Sequence, residues 1–390
     1  MPQLHTQDHA KDSRRIRLGI IGTGLAIEKL HWPALRQMPD RFEVAAFADV
    51  VRSNAEKFAR LAGVSMDGYH PDYTALLARD DVEAVLIALP IPLLYPAARA
   101  ALEAGKHVVC EKPAGANLEQ ARDFLALESR FPDRKILIAE NFFYRDDLRL
   151  ARSLLDAGAI GRPHLLAWRL VSHSVPREGS FTSTPWRWAP QYRGGPQLDS
   201  GVHQVAQMRM LCGDVQELQA FIQYANPTMG GPSDLVLNLH FLSHAIGNFT
   251  AGHLALPPLE EANAMRLYGS EGVMVLADRT VRVQTADGAV QEHEVEADGG
   301  YYNQLVNFHD ALVHDEPIVG TLRQSFLNLL VVMRALDSAQ AQRIESLQDA
   351  PGGLSEIAVP LWRPRAQTDL FEGLPCTVRS SEKAANASAT

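Results

Sequence analysis

Three side chains of this 390-residue chain could together move a proton: Lys112, Asp199 and His203. Lys112 stands in Cys110-Glu111-Lys112-Pro113, where a short apolar run ends in a turn. Pro113 fixes its own φ and disfavours helix at the residue before it, so Lys112 is expected in extended conformation. Asp199 and His203 lie four apart in Leu198-Asp199-Ser200-Gly201-Val202-His203. If a helix starts near Asp199, both point to one face, about 5–6 Å apart at Cβ. That spacing suits a metal pair, but the sequence offers no third ligand. It also suits proton transfer. An imidazole with a reference pKa of about 6.5 is a natural base for a hydroxyl proton. Asp199 would bind a substrate hydroxyl or orient the ring. Lys112 would lower the pKa of the base and polarise a developing carbonyl. An N-capping aspartate and a surface histidine would leave the same letters.

The three groups need a scaffold, and the apolar spacing supplies one. Ile16 to Ile21 is an apolar run with β-branched residues, as in a strand buried on both faces. Phe42 to Ala48, Ala84 to Leu89, His107 to Cys110 and Lys135 to Ala139 read as further strands. Helical stretches separate them, among them Asn54 to Ala62, Leu93 to Ala104 and an amphipathic Leu118 to Arg130. This alternation predicts an α/β domain with a doubly wound parallel sheet over residues 15–141. Ligands sit at the carboxyl edge of such sheets, and Lys112 is on that edge. Past about Leu155 come longer alternating strands, including Leu165 to Val171, Leu235 to Leu242, Ile246 to His253 and Ala264 to Tyr268. Helices are expected near Val202 to Leu211, Leu305 to Val313 and Leu322 to Ala341. Residues 142–364 therefore read as an α+β domain with a large open, mostly antiparallel sheet. The polar segments 1–14 and 365–390 read as flexible tails.

Gly22-Thr23-Gly24 follows the first strand at once and opens a helix through Leu25 and Ala26. Glycines there allow a sharp turn and let backbone N–H groups approach a pyrophosphate. The usual third glycine falls at Ile27, with Ala26 one residue earlier as the small residue. Asp49 ends the second strand, where a carboxylate hydrogen-bonds a ribose 2′-OH. It would repel a 2′-phosphate, so NAD is favoured over NADP. Arg52 argues the other way, and Asp49 would also serve as a helix N-cap.

The formal charge of −9 argues against a general nucleic-acid binder. Cys110, Cys212 and Cys376 are too few and too scattered for a disulfide framework or a zinc cluster. No apolar run is long enough to span a bilayer, and residues 1–13 lack the apolar stretch of a signal peptide. A cytoplasmic location is expected.

The chain resembles the glucose–fructose oxidoreductase / inositol dehydrogenase (Gfo/Idh/MocA) family. The matching pieces are Gly22-Thr23-Gly24, His31-Trp32-Pro33-Ala34-Leu35, Asp49, Glu111-Lys112-Pro113, Glu140-Asn141, Gly158-Ala159-Ile160-Gly161, Trp186-Arg187 and Asp199-Ser200-Gly201-Val202-His203. The resemblance implies a Rossmann domain, NAD(P)-dependent chemistry on a sugar or polyol, and a homodimer or homotetramer built through the C-terminal sheet. It maps the catalytic lysine, aspartate and histidine onto Lys112, Asp199 and His203. It adds Leu89, Pro90, Leu94, Glu111, Asn141, Trp186 and Arg187 to the cofactor site. Two departures stand out: Ile91 and Leu94 replace an asparagine and a histidine common after the fourth strand, and Ala206 replaces an aspartate three residues past the histidine. Tyr144 and Arg145 follow a strand end and are expected to face the cleft, Tyr144 as a substrate contact. His31 and Trp32 are expected to pack. Two other readings stay open: a non-catalytic NAD(P)-binding regulator on the same fold, and a redox-assisted glycosidase.

Overall fold

The computed structural model describes residues 14–258, 262–296, 299–365, 367 and 376–381. The tail expected over 1–14 lies outside them apart from Arg14, as does most of the segment after residue 365.

The run Ile16–Ile21 forms β1, and Ile16, Leu18, Ile20 and Ile21 are buried. Helices cover both faces, which is why its apolar residues run on rather than alternate. β2 (Phe42–Ala48), β3 (Tyr69–His70), β4 (Ala84–Ile87), β5 (His107–Glu111) and β6 (Ile136–Ala139) complete a sheet of order β3-β2-β1-β4-β5-β6, all parallel. The order reverses between β1 and β4. A crevice opens at that switch point, outside the carboxyl ends of the strands. Gly22, Leu89, Pro90 and Lys112 all follow strands that end there.

The second domain is one ten-stranded sheet. Its strands are β7 (Pro163–His173), β8 (Val215–Gln223), β9 (Asp234–Phe241), β10 (Ile246–Leu254), β11 (Ala262–Gly269), β12 (Gly272–Ala277), β13 (Thr280–Thr285), β14 (Val290–Val295), β15 (Glu345–Ser346) and β16 (Cys376–Ser381). The order is β15-β8-β9-β10-β7-β11-β12-β13-β14-β16. β7 and β10 run parallel and every other neighbour is antiparallel. The helix Leu322–Ala341 lies on β8 and also touches the helix Leu118–Leu125 of the first domain. Phe221, Val236 and Ile246 stand exposed.

The structure corrects several expectations. β16 pairs with β14 along its whole length, so 376–381 are sheet rather than tail. The stretch Leu118 to Arg130 is two helices, Leu118–Leu125 and Leu127–Arg130. β3, β8, β14 and β15 were not foreseen. β8 reads Val-Gln-Glu-Leu-Gln-Ala-Phe-Ile-Gln, and only Val215, Leu218 and Ala220 on its inner face are buried. Among the described residues no helix is long and apolar enough to cross a membrane.

A buried ion pair joins the helix Gly201–Cys212 to its neighbours. Arg209, fully buried, donates from Nε and Nη2 to Asp214 Oδ1 at 2.9 and 2.7 Å and from Nη1 to the Gln324 carbonyl at 3.0 Å. The other Asp214 oxygen accepts from Ser355 N at 2.8 Å. Asp214→Ala would leave the guanidinium buried without a counter-charge. The expected loss is about 3–5 kcal/mol, read from the midpoint of urea unfolding. The double variant Arg209→Met/Asp214→Leu should recover most of it, and failure of that recovery would show that the helix depends on more than the charge.

Candidate active site

Lys112 follows β5 directly, and its peptide bond to Pro113 is cis. Its Nζ donates to the Asp199 carbonyl at 2.5 Å and reaches Asp199 Oδ1 at 3.3 Å. Arg187 Nε donates to Asp199 Oδ2 at 2.6 Å. The guanidinium lies over the Trp186 ring at 4.0 Å and the Phe181 ring at 5.5 Å, with Nη1 on Thr184 Oγ1 at 2.8 Å. Burial alone would raise the Asp199 pKa. The Lys112 ammonium and the Arg187 guanidinium outweigh it and hold the carboxyl at about 2.

The helix expected to start near Asp199 is two helices. Asp199 ends the short helix Pro196–Asp199, and His203 sits in the helix Gly201–Cys212. The partner of His203 is therefore not Asp199. Its Nδ1 is 2.6 Å from Glu140 Oε1, a side chain only 1% exposed. A carboxylate accepts, so Nδ1 carries the proton and Nε2 is left for the cavity. The Phe142 ring packs on the imidazole at 4.6 Å. A second such pair lies beside it. His31, fully buried, places Nε2 2.7 Å from Glu111 Oε1, and Lys112 N donates to Glu111 Oε2 at 3.1 Å. Burial opposes ionisation of Glu111, but the His31 hydrogen bond and the His31, Lys112 and His203 charges outweigh it and lower its pKa. Tyr301 meets the edge of His31 at 5.2 Å. Burial, and then the Glu111 and Glu140 carboxylates, push its phenol pKa up.

Glu140 and Glu111 act here as partners of imidazoles, and the sequence did not mark them so. The available signal was their position: each carboxylate stands at the carboxyl end of a parallel strand, on the same edge as Lys112. His31 was expected to pack, and it also carries a charge-assisted hydrogen bond.

Glu111, Lys112, Arg187, Asp199, His203 and Tyr301 line a cavity of about 360 Å³, to which Ala26 and Leu30 of the first domain also contribute. Beside it lies the Gly22–Ala26 turn. Gly22 has φ +84°, and a Cβ there would collide with the Ala88 carbonyl oxygen. A Cβ on Gly24 would meet nothing within 4 Å. That leaves open space above the first turn of a helix, the cradle a pyrophosphate needs. Asp49 Oδ2 accepts from Thr23 N at 2.8 Å and Thr23 Oγ1 at 2.9 Å, and Oδ1 accepts from Val51 N at 2.8 Å. Asp49 thus fastens the turn from the end of β2. Arg52 pairs with Glu56 at 2.9 Å and lies over Tyr69.

Other expected site residues are placed differently. Leu94 is fully buried in the core and is no cavity wall. Tyr144 is also fully buried. Its hydroxyl donates to Asn307 Oδ1 at 2.8 Å and accepts from Gly320 N at 2.9 Å, so it braces elements within the second domain and does not face the cleft. Arg145 lies over Phe142 and pairs with Asp147. Asn141 donates Nδ2 to the Gly299 carbonyl at 2.6 Å, while its buried Oδ1 has no partner. Gly300, at φ +81°, packs so closely on the Asn141 carbonyl that only glycine fits, and this seats Tyr301. Trp186 supports Arg187 from behind and is absent from the cavity lining.

The depressed Asp199 pKa has a consequence for acid stability. A carboxyl at about 2 when folded and near 3.8 when unfolded contributes stability that is full above about pH 4 and is lost as pH falls through about 2. The contribution is on the order of 2 kcal/mol. Unfolding free energy measured between pH 5 and pH 2 should therefore fall less steeply in Asp199→Asn than in the wild type. Parallel curves would show that the pair contributes nothing.

A family model described as an oxidoreductase family with an NAD-binding Rossmann fold matches residues 16–134, and the model of the GFO/IDH/MocA C-terminal domain matches residues 148–275. An uncharacterized protein of Saccharomyces cerevisiae is 27% identical over 340 residues, 83% of this chain and 96% of that protein. A dTDP-3,4-didehydro-2,6-dideoxy-alpha-D-glucose 3-reductase of Streptomyces violaceoruber is 32% identical over 210 residues, only 53% of this chain and 57% of the reductase. The crystal structure of an oxidoreductase from Thermotoga maritima superimposes with a TM-score of 0.80 at 28% identity, covering 86% of this chain and all of that one. The two matched models span well over half of the sequence, and the chain belongs to the Gfo/Idh/MocA family of NAD-binding oxidoreductases.

Proposed function

We propose that this protein is an NAD(P)-dependent dehydrogenase or reductase acting on a carbinol or carbonyl carbon of a sugar, polyol or related compound. The observation that carries this reading is the convergence of Lys112 and His203 on one cavity beside the Gly22–Ala26 turn. A bound nicotinamide dinucleotide would supply the redox chemistry, accepting or returning a hydride. The turn from Gly22 to Ala26 would hold its pyrophosphate, with Leu89 and Pro90 on the adjoining strand end. Asp49 would meet the ribose, which favours NAD.

The proton chemistry belongs to the chain. His203 Nε2 takes the hydroxyl proton, or returns it in reduction. Glu140 fixes the tautomer and stabilises the imidazolium that forms. Lys112 holds the substrate oxygen and stabilises negative charge as it develops there. Asp199 positions Lys112 and Arg187 rather than acting as a base, because its carboxyl stays ionised down to about pH 2. Glu111, held by His31, fixes the backbone at Lys112.

We place the cofactor domain over 15–141 and the substrate and assembly domain over 142–364. The buried free thiols of Cys110 and Cys212 support a reducing, cytoplasmic setting. The exposed Phe221, Val236 and Ile246 support assembly into a dimer or tetramer through the sheet. Sedimentation of Phe221→Glu/Val236→Glu should show a smaller species than wild type, and an unchanged mass would overturn that assembly.

The principal test is steady-state turnover over a panel of sugars and polyols with NAD and NADP. Lys112→Ala and His203→Ala should each lower kcat/KM by about 10²–10⁴, with dinucleotide binding by calorimetry retained. A loss under about tenfold would remove these residues from the chemistry. Tighter binding of NADP than of NAD would overturn the role given to Asp49. Dinucleotide binding without turnover of any sugar would instead favour a sensing protein.

A further inference from the structure

One wall of the cavity has an organisation that the proton chemistry does not use. β7 and β10 are parallel neighbours with Ser172 opposite His253. Their side chains therefore stand on one face, and Ser174, two residues on, joins them. All three line the cavity. Ser174 Oγ is 3.3 Å from His253 Nδ1 and 3.2 Å from Ser172 Oγ. One buried amide sets the group. Asn226 Nδ2 donates to the carbonyls of Ser174 and His253 at 2.7 and 2.9 Å, and its Oδ1 accepts from Thr228 N and Oγ1 at 3.0 and 2.8 Å. Thr228 and Met229 complete this wall, and Phe181 and Trp188 flank it.

We propose that this wall is a subsite that recognises remote hydroxyls of an uncharged sugar or polyol bearing an apolar substituent, with His253 and Ser174 as specificity-determining residues. The inference rests on the dehydrogenase reading for the class of ligand. Its independent ground is the charge pattern. Among the described residues, the charged groups in the cavity lining are Glu111, Lys112, Arg187 and Asp199, with the His203 imidazole beside them. Each has a partner: Glu111 with His31, Lys112 and Arg187 with Asp199, His203 with Glu140. A phosphate or carboxylate on the substrate would enter without a free cation and carry the cost of an unpaired buried charge. His253 does not supply one. Burial lowers its pKa against the opposing pull of Asp234, so the ring is neutral near pH 7. A neutral imidazole and three hydroxyls are partners for alcohol groups. The rings of Phe181 and Trp188 and the thioether of Met229 suit an alkyl or aryl group.

The test uses the full chain loaded with NADH. Calorimetry compares an alkyl glycoside, the parent sugar, its phosphate and its uronate, and turnover with NAD is measured on the same set. The neutral glycoside should bind at least about tenfold more tightly than either anion. His253→Ala should raise its Kd and KM about tenfold with a smaller change in kcat. For the monodeoxy analogue that lacks the recognised hydroxyl, variant and wild type should agree. His253→Gln should restore part of the loss, and Ser174→Ala repeats the test should His253→Ala fail to fold. Equal or tighter binding of the phosphate or uronate overturns the proposal. So does a variant that weakens every member of the deoxy series alike, or a protein that binds no sugar. Tight glycoside binding with no turnover keeps the subsite and overturns the dehydrogenase reading. Turnover confined to the anionic sugars does the reverse.

Discussion

The Asp199 carboxylate is the point on which the site depends. It receives a lysine from the edge of the first sheet and an arginine from the short helix Pro185–Trp188 of the second domain. At an effective dielectric constant of about 20, a 3.3 Å ion pair is worth roughly 5 kcal/mol. Desolvation of the ions costs several kcal/mol and offsets most of that. The net gain is on the order of 2 kcal/mol, and the pair matters as much through position. Without the carboxylate, two cations would face each other across the cavity and repel. With it, the Lys112 ammonium is held at the mouth of the crevice. The stacked aromatic rings of Trp186 and Phe181 fix the plane of Arg187.

Around that clamp the sheet edge carries a second pattern. β5 and β6 are parallel neighbours, and each is followed by or ends in a glutamate. Each glutamate holds an imidazole from another element: Glu111 holds His31 and Glu140 holds His203. The result alternates carboxylates with hydrogen-bond donors, which lets several ionisable groups share a nearly dry space. Of these two imidazoles only His203 lines the cavity, and the Phe142 ring restrains its rotation. The His31 pair is buried and supports Lys112 from beneath through the Lys112 amide. Bracing comes from further away. The Tyr144 hydroxyl bridges Asn307 and the Gly320 amide, and the close pass of Gly300 over Asn141 sets Tyr301 in place.

Much of this was legible from local pattern. Strands buried on both faces declare themselves by apolar runs, so β1, β2, β4, β5 and β6 could be read within a residue or two. The glycine turn, Asp49, Lys112 and His203 could be read because each follows a strand or opens a helix. The second domain was less legible at its margins. β8 and β14 have one exposed face and carry glutamate and glutamine there, so their alternation is faint. Leu94 and Tyr144 misled because each sits in a helical turn after a strand, and sequence spacing does not say which side of that turn faces the crevice. Both turn to the core.

By itself the sequence determined the order of elements, the parallel sheet with its ligand-binding edge, and the residue types capable of proton transfer. Those follow from periodicity, from the backbone limits of glycine and proline, and from side-chain chemistry, all local properties. Tertiary structure alone decided the partnerships. Asp199 and His203 are four residues apart, yet they belong to different ion pairs, because a break at Ser200 turns one helix into two. Glu140 is 63 residues from His203 and Lys112 is 87 from Asp199. Charges so far apart along the chain become partners only when two sheets and their connecting loops fix them within hydrogen-bond reach.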